Sequence, residues 1–249
     1  KKSRLKNKPI NAIYVYQTDG IFQNQEEVDA FYEMYYYTAN GGVKPNNILP
    51  APGETGLNRL RPGARKLVDL NGDGAITTED LYYAGDAAPR LAFSIKAGLE
   101  WKGIDFSAFF QGIGKQVTLR TGSIYAPFVT NYTMQNSTFM GKTWTPENPD
   151  AQYTILSRDN GFNRFNYENK DISVQNNRYI RLKSLVIGYS LPKQWIAKAG
   201  LSKLRFYFSG DDLWEWTKIK DGYDPEHGEG GNNTFPFSRL ITFGVDLTF

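Results

Sequence analysis

The residues whose types and spacing point to chemistry run from Asp69 to Asp80 and read D-L-N-G-D-G-A-I-T-T-E-D. Oxygen side chains stand at alternate positions, Asp69, Asn71 and Asp73; Gly74 follows where a sharp turn is needed, then Ala75 with its carbonyl and Ile76 as an apolar anchor. This is the spacing of a calcium loop, since a hard cation takes about 6–8 oxygen ligands and one tight turn supplies most of them. The closing position holds Asp80 instead of the usual Glu. With that shorter arm the ring closes less tightly or by another route, as in dockerin-like loops. The expected metal set is Asp69, Asn71, Asp73, the Ala75 carbonyl and Asp80, holding a structural Ca2+ that rigidifies the loop rather than a catalytic ion. The competing reading is an Asx-rich turn that needs no metal.

Other candidates are weaker. His227 is the single His and has Asp224, Glu226 and Glu229 beside it, which is either part of a metal set or a solvated loop. Asp211 and Asp212 are adjacent on an expected strand, so their side chains point to opposite faces and cannot address one substrate. Neither a Ser/His/Asp set nor a nucleotide loop is visible, and the chain is read as no enzyme. Aromatics in the irregular stretches, namely Tyr35, Tyr36, Tyr37, Trp144, Trp214, Trp216 and Phe235, offer faces that stack on sugar rings. Tyr36, Trp144, Trp214 and Trp216 are the candidate ligand contacts, set against plain loop packing or an interfacial girdle.

The elements that must position these residues are strands. In Arg239 to Phe249 one face collects Ile241, Phe243, Val245, Leu247 and Phe249, and the other Leu240, Thr242, Gly244, Asp246 and Thr248. That is a period of 2 over roughly the 9–11 residues a tilted strand needs to cross a bilayer. The chain of 249 residues is 15% aromatic, has 24 Gly and no Cys, and carries a net charge of +3. Its mean hydropathy is −0.51. It has no run of about 18 apolar residues, so a transmembrane helix is excluded, whereas a barrel hides its membrane signal in alternation. The charge is dispersed, which gives no case for nucleic acid. No disulfide framework is possible. Lys1 to Asn7 is basic without the apolar run of a signal peptide, and the chain is expected to begin partway into a larger product.

In chain order, strands are expected near 10–17, 90–101, 104–112, 179–190, 204–213 and 239–249. A capped amphipathic helix is expected over Gln25 to Tyr37, with Asn24 as the cap, and a short helix from Lys193 to Lys198, stopped by Gly200. Lys102-Gly103 is a tight turn, and the apolar phase slips near Lys183-Ser184, which signals a bulge. The stretches 21–89, 113–177 and 217–238 are expected as long loops, without helical or strand period in 114–177. Long and short connections alternate strictly. Trp101, Tyr189, Trp195 and Phe249 fall at the short-turn end, and Tyr14, Tyr16, Tyr179, Trp214 and Trp216 at the other, as two girdles require. Six strands do not close a barrel with a polar lumen, so this is part of a larger wall.

At this point D-L-N-G-D-G-A-I, R-L-A-F-S-I-K-A-G-L-E-W-K-G-I-D-F, W-T-P-E-N-P, Y-I-R-L-K-S-L-V-I-G-Y-S-L-P, L-R-F-Y-F-S-G-D-D-L, G-Y-D-P-E and the closing I-T-F-G-V-D-L-T-F carry a family resemblance. Together they resemble the C-terminal part of SusC/RagA-type TonB-dependent outer-membrane transporters. The resemblance implies an all-β fold, the C-terminal segment of a large transmembrane antiparallel β-barrel with long extracellular loops, in the outer membrane of a Gram-negative bacterium. It also implies the partners: the remaining N-terminal barrel and plug polypeptide, a SusD-like lipoprotein, the TonB complex reached through that N-terminal part, and outer-membrane lipid. The implied activity is import of oligosaccharides or peptides. The alternative is a soluble, calcium-stabilised β-sandwich that binds carbohydrate.

Overall fold

The computed structural model describes residues 2–3, 9, 11–37, 47–52, 59–121, 125–128, 137–220, 222–227 and 238–249. In chain order the strands are β1 (Lys2–Ser3), β2 (Ala12–Tyr16), β3 (Thr18–Ile21), β4 (Arg65–Leu67), β5 (Leu81–Asp86), β6 (Arg90–Trp101), β7 (Ile104–Lys115), β8 (Val117–Leu119), β9 (Val174–Asn176), β10 (Tyr179–Ser190), β11 (Lys203–Thr217) and β12 (Leu240–Thr248). The α-helices are α1 (Gln25–Tyr35), α2 (Asn160–Tyr167) and α3 (Lys193–Ile196). Two compact units result, one built mainly from 1–88 and 117–175, the other mainly from 89–116, 176–228 and 234–249.

The second unit is a five-stranded antiparallel sheet in the order β12-β11-β10-β7-β6. Its register puts Leu99, Phe106, Ile187, Phe208 and Phe243 in one row across the sheet, and Trp101, Ile104, Tyr189, Phe206 and Val245 in the next. The row of Glu100, Asp105, Gly188, Tyr207 and Gly244 falls on the opposite face. The alternation expected from the sequence is thus kept in phase across every strand. The apolar side is open: Phe243 is 79% exposed, and Leu99, Trp101, Val245 and Leu247 are exposed as well. A contiguous apolar face of this extent marks a surface built for something other than water.

Local chemistry explains the joints. Lys102 and Gly103 take φ of 48° and 88°, the positive pair that a two-residue hairpin turn requires. The bulge lies at Lys183 and is larger than one residue: between matching pairs β7 runs directly from Phe109 to Phe110, β10 inserts Lys183, and β11 inserts Asp212 and Leu213. Asp212 absorbs the extra length at φ 52°. The helix after β10 continues as a 3₁₀ turn through Ala199 and ends on left-handed Gly200, close to the expected bounds.

The first unit is where expectation and structure part. The strand expected over 10–17 forms at Ala12–Tyr16, but it pairs with β1 and β5, not with the five-stranded sheet. Its residues are buried on both faces, so it is a core strand and the sheet has five strands. Tyr16 and Tyr179 are buried and cannot serve in an interfacial girdle, whereas Trp214 and Trp216 are exposed. The stretches 21–89 and 113–177 are not structureless: Phe22, Val28, Tyr32, Leu60, Leu67, Ile76 and Phe162 share one hydrophobic core. Helix α1 is capped as expected, Asn24 accepting from the Glu27 N–H at 2.9 Å. The Glu27 carboxylate accepts from the Gln23 N–H at 3.2 Å. Helix α2 was not expected. Its cap, Asp159 accepting from the Phe162 N–H at 2.8 Å, is clear, but Asn163 and Asn166 on its buried face hide the apolar period. No described helix is long and apolar enough to cross a membrane, which says nothing about strands.

Candidate functional site

The Asp69–Asp80 loop has the turn geometry its sequence promises. Gly72 and Gly74 take φ of 74° and 77°. Asp69 accepts from the Gly72 and Gly74 N–H groups at 2.8 and 2.7 Å, Asn71 from Asp73 at 2.9 Å, and Asp73 from Ala75 at 2.8 Å. Asp80 is fully buried, and its carboxylate closes the loop by accepting from Leu70 at 2.9 Å and from Thr77 at 2.7 Å. It thereby completes a capping box with Thr77. The oxygens of Asn71 and Asp73 stay on the exposed rim, which suits a hard cation. No three acidic or His side chains gather among the described residues, so an ion here would rely on the Asn71 amide and the Ala75 carbonyl as much as on carboxylates.

The four candidate ligand aromatics do not form one platform. Trp144 is 4% exposed, and its Nε1–H donates to Gln23 Oε1 at 3.0 Å, so it is a core residue with no free ring face. Tyr36 packs edge-on against Tyr32 and Tyr37, at 5.7 and 5.3 Å between centroids. Tyr35 lies 4.7 Å from Phe31. Trp214 and Trp216 belong to the other unit, in register with Leu182 and Ile180 on the open apolar face. Phe235 and Glu229 lie outside the described residues.

The polar face of the sheet carries a network that the sequence reading missed. Arg181 is 2% exposed and its guanidinium meets Glu215, Asp224 at 2.5 Å and Glu226 at 3.3 Å. Lys183, delivered by the bulge, reaches Asp212 and Glu226, each at 2.9 Å. Asp224 and Glu226 are therefore committed to cations, and the His227 imidazole lies 3.9 Å from Asp224. The signal was present as charged residues at strand positions out of phase with the apolar face, but which of them meet depends on register.

In the first unit, burial moves several groups. Lys170, 3% exposed, sits 5.0 and 5.1 Å from the Tyr16 and Phe165 rings, and desolvation pushes its ammonium down to about 8. Desolvation likewise lifts the Tyr32 hydroxyl to about 12. Tyr32 accepts from the Leu60 N–H at 3.1 Å.

No protein-family model matches the chain. Two curated relatives, TonB-dependent receptors P26 and P3 of Formosa agariphila, are 26% and 27% identical over 247 and 246 residues. Each alignment covers 92% of this chain but 22% and 23% of the relative, so the chain spans less than a quarter of their length. Among solved structures, the RagAB peptide importer in its open-open state matches with a TM-score of 0.59 at 19% identity, over 99% of this chain and 24% of that one. The RagAB peptide transporter matches with a TM-score of 0.63 at 17% identity, over 96% and 22%. At these identities the structures speak for the fold: antiparallel and all-β, like part of the RagAB barrel. The matched proteins are receptors and transporters rather than enzymes, and TonB-dependent receptors are outer-membrane proteins of Gram-negative bacteria. The chain is thus similar in sequence, along nearly all its length, to a segment of TonB-dependent receptors, and in fold to part of RagAB.

Proposed function

We propose that the chain is a wall segment, with its outer loops, of a SusC/RagA-type TonB-dependent transporter that imports oligosaccharides or peptides through the outer membrane together with a SusD-like lipoprotein. The observation that carries this reading is the five-stranded sheet with one open apolar face and one polar, ion-paired face. A water-facing sheet does not leave Leu99, Trp101, Ile104, Ile187, Phe206, Phe243 and Val245 open across all five strands of one face, since fully burying one such side chain is worth about 1.5–3 kcal/mol. Lipid contact removes that cost. The opposite face, with Arg205 held between Asp105 at 2.6 Å and Asp246 at 2.9 Å, suits a wet lumen. The chain's own residues thus stiffen a wall and display loops; the pulling force of the TonB system acts elsewhere.

Fractionation of the native cell tests this reading. These residues are expected in the carbonate-resistant outer-membrane fraction, on or bound to a much longer polypeptide, and to co-purify with a surface lipoprotein. Recovery as a soluble protein of 28.3 kDa would overturn it. We further propose that the Asp69–Asp80 loop takes Ca2+ through Asp69, Asn71, Asp73 and the Ala75 carbonyl, with Asp80 closing the turn from its buried position. Its role is to fix the loop.

A further inference from the structure

At the end of the sheet that meets the long connections, two neighbouring strands present a cation at the same level on the apolar side, and a third cation, at the start of β12, stands nearer the middle of β11. Arg178 precedes β10, Lys218 follows β11, and Arg239 precedes β12 in phase with Ile241. The Arg178 guanidinium lies 5.4 Å and the Lys218 ammonium 5.5 Å from the centre of the Trp216 ring, which is 42% exposed. The backbones are tied at the same level, the Lys218 N–H donating to the Arg178 carbonyl at 3.0 Å. All three cations are exposed, and none has a carboxylate partner among the described residues. On the polar face, Arg181, Lys183 and Arg205 are each paired with carboxylates. At the opposite end Lys102 lies over Trp101, with Glu100 beside it.

An aromatic ring with two cations against it, neither of them with a carboxylate partner among the described residues, at the border of an apolar face, suits an anion that arrives attached to hydrocarbon. We propose that Arg178, Lys218 and Trp216 bind the phosphate of a lipid headgroup in the leaflet on the long-connection side. The cations supply the charge that an anionic membrane surface rewards, Trp216 supplies the interfacial anchor, and Ile180, Leu182 and Trp214 continue the contact along the acyl chains. This rests on the sheet being a membrane wall. Absence from the outer membrane would sink that reading, whereas the experiment below addresses the headgroup site in a protein already shown to be there.

The intact protein is purified in a non-ionic detergent, mixed with diphosphoryl lipid A, and the lipid retained per protein is counted by native mass spectrometry. The Arg178→Gln/Lys218→Gln pair is expected to lower retention about 10- to 30-fold and Trp216→Leu to lower it less, while Lys142→Gln, outside the sheet, leaves it unchanged. Raising NaCl should release lipid from the unmodified protein, a readout that stands even if a variant does not fold. Unchanged retention in the double variant, or no release by salt, would overturn the proposal. So would full displacement by equimolar inorganic phosphate, which would mean a site for free anions rather than lipid.

Discussion

Arg205 on β11 grips Asp105 on β7, two strands away, with Nη2 to Oδ2 at 2.6 Å and Nε to Oδ1 at 2.8 Å, by passing over Gly188 of the intervening strand β10. A Cβ at Gly188 would meet both the carboxylate and the guanidinium. The missing side chain on the middle strand is what allows a bidentate pair to span three strands.

Gly188→Ala should therefore break the Arg205–Asp105 pair while leaving the sheet folded, because the atoms displaced are the ends of flexible side chains. The expected loss is about 1 kcal/mol, since the pair is partly exposed. A double-mutant cycle of Gly188→Ala with Asp105→Asn in urea unfolding checks it: the two losses should fall well short of additive.

Gly103→Ala should cost more. Gly103 sits at φ 88° and an added Cβ would lie 2.6 Å from the Ser190 backbone oxygen, which is itself fixed by the sheet. A loss of about 1–3 kcal/mol is expected, read as a lower refolding yield into detergent on heat-modified gels.

Phe243 and Thr242 are neighbours on β12 facing opposite ways. In a membrane wall Phe243→Arg should destabilise by about 2–4 kcal/mol if its row lies near the midplane, and Thr242→Arg by much less. In water the ranking would reverse, because Phe243 is already open.

Asp69→Ala removes the acceptor for both the Gly72 and Gly74 N–H groups. The loop should become sensitive to protease, losing about 1–3 kcal/mol of local stability with or without calcium. If the loop also binds Ca2+, the unmodified protein should gain protease resistance at calcium concentrations up to the millimolar range and lose it with chelator, and Asp69→Ala should not respond.

Lys170 titrates near 8 in the fold against the ordinary 10.5, so between these values the unfolded chain holds a proton that the folded chain has released. Stability of the first unit should therefore rise as pH increases from about 8 towards 10. In Lys170→Met this rise should disappear, and the variant should be the more stable at pH 7. Denaturant midpoints of the two proteins across that range provide the measurement.

The sequence by itself determined the sheet's strands, their apolar phase, the Lys102-Gly103 turn, the slip at Lys183 and the Asn24 cap. Each of these depends on neighbours within a few residues, and side-chain alternation along a strand is a purely local property. Tertiary structure decided what those strands pair with. Ala12–Tyr16 has the composition of any strand, but its place in a buried core comes from β5 and from links such as Thr18 to Asp171, at 2.7 Å across 153 residues of chain. Trp144 reads as a loop aromatic until Gln23, far away in sequence, covers its indole N–H. The ion pairs of Arg181, Lys183 and Arg205 follow the same rule: charge at a strand position is written locally, while the partner is chosen by register, bulge and the bare surface of a glycine two strands into the sheet.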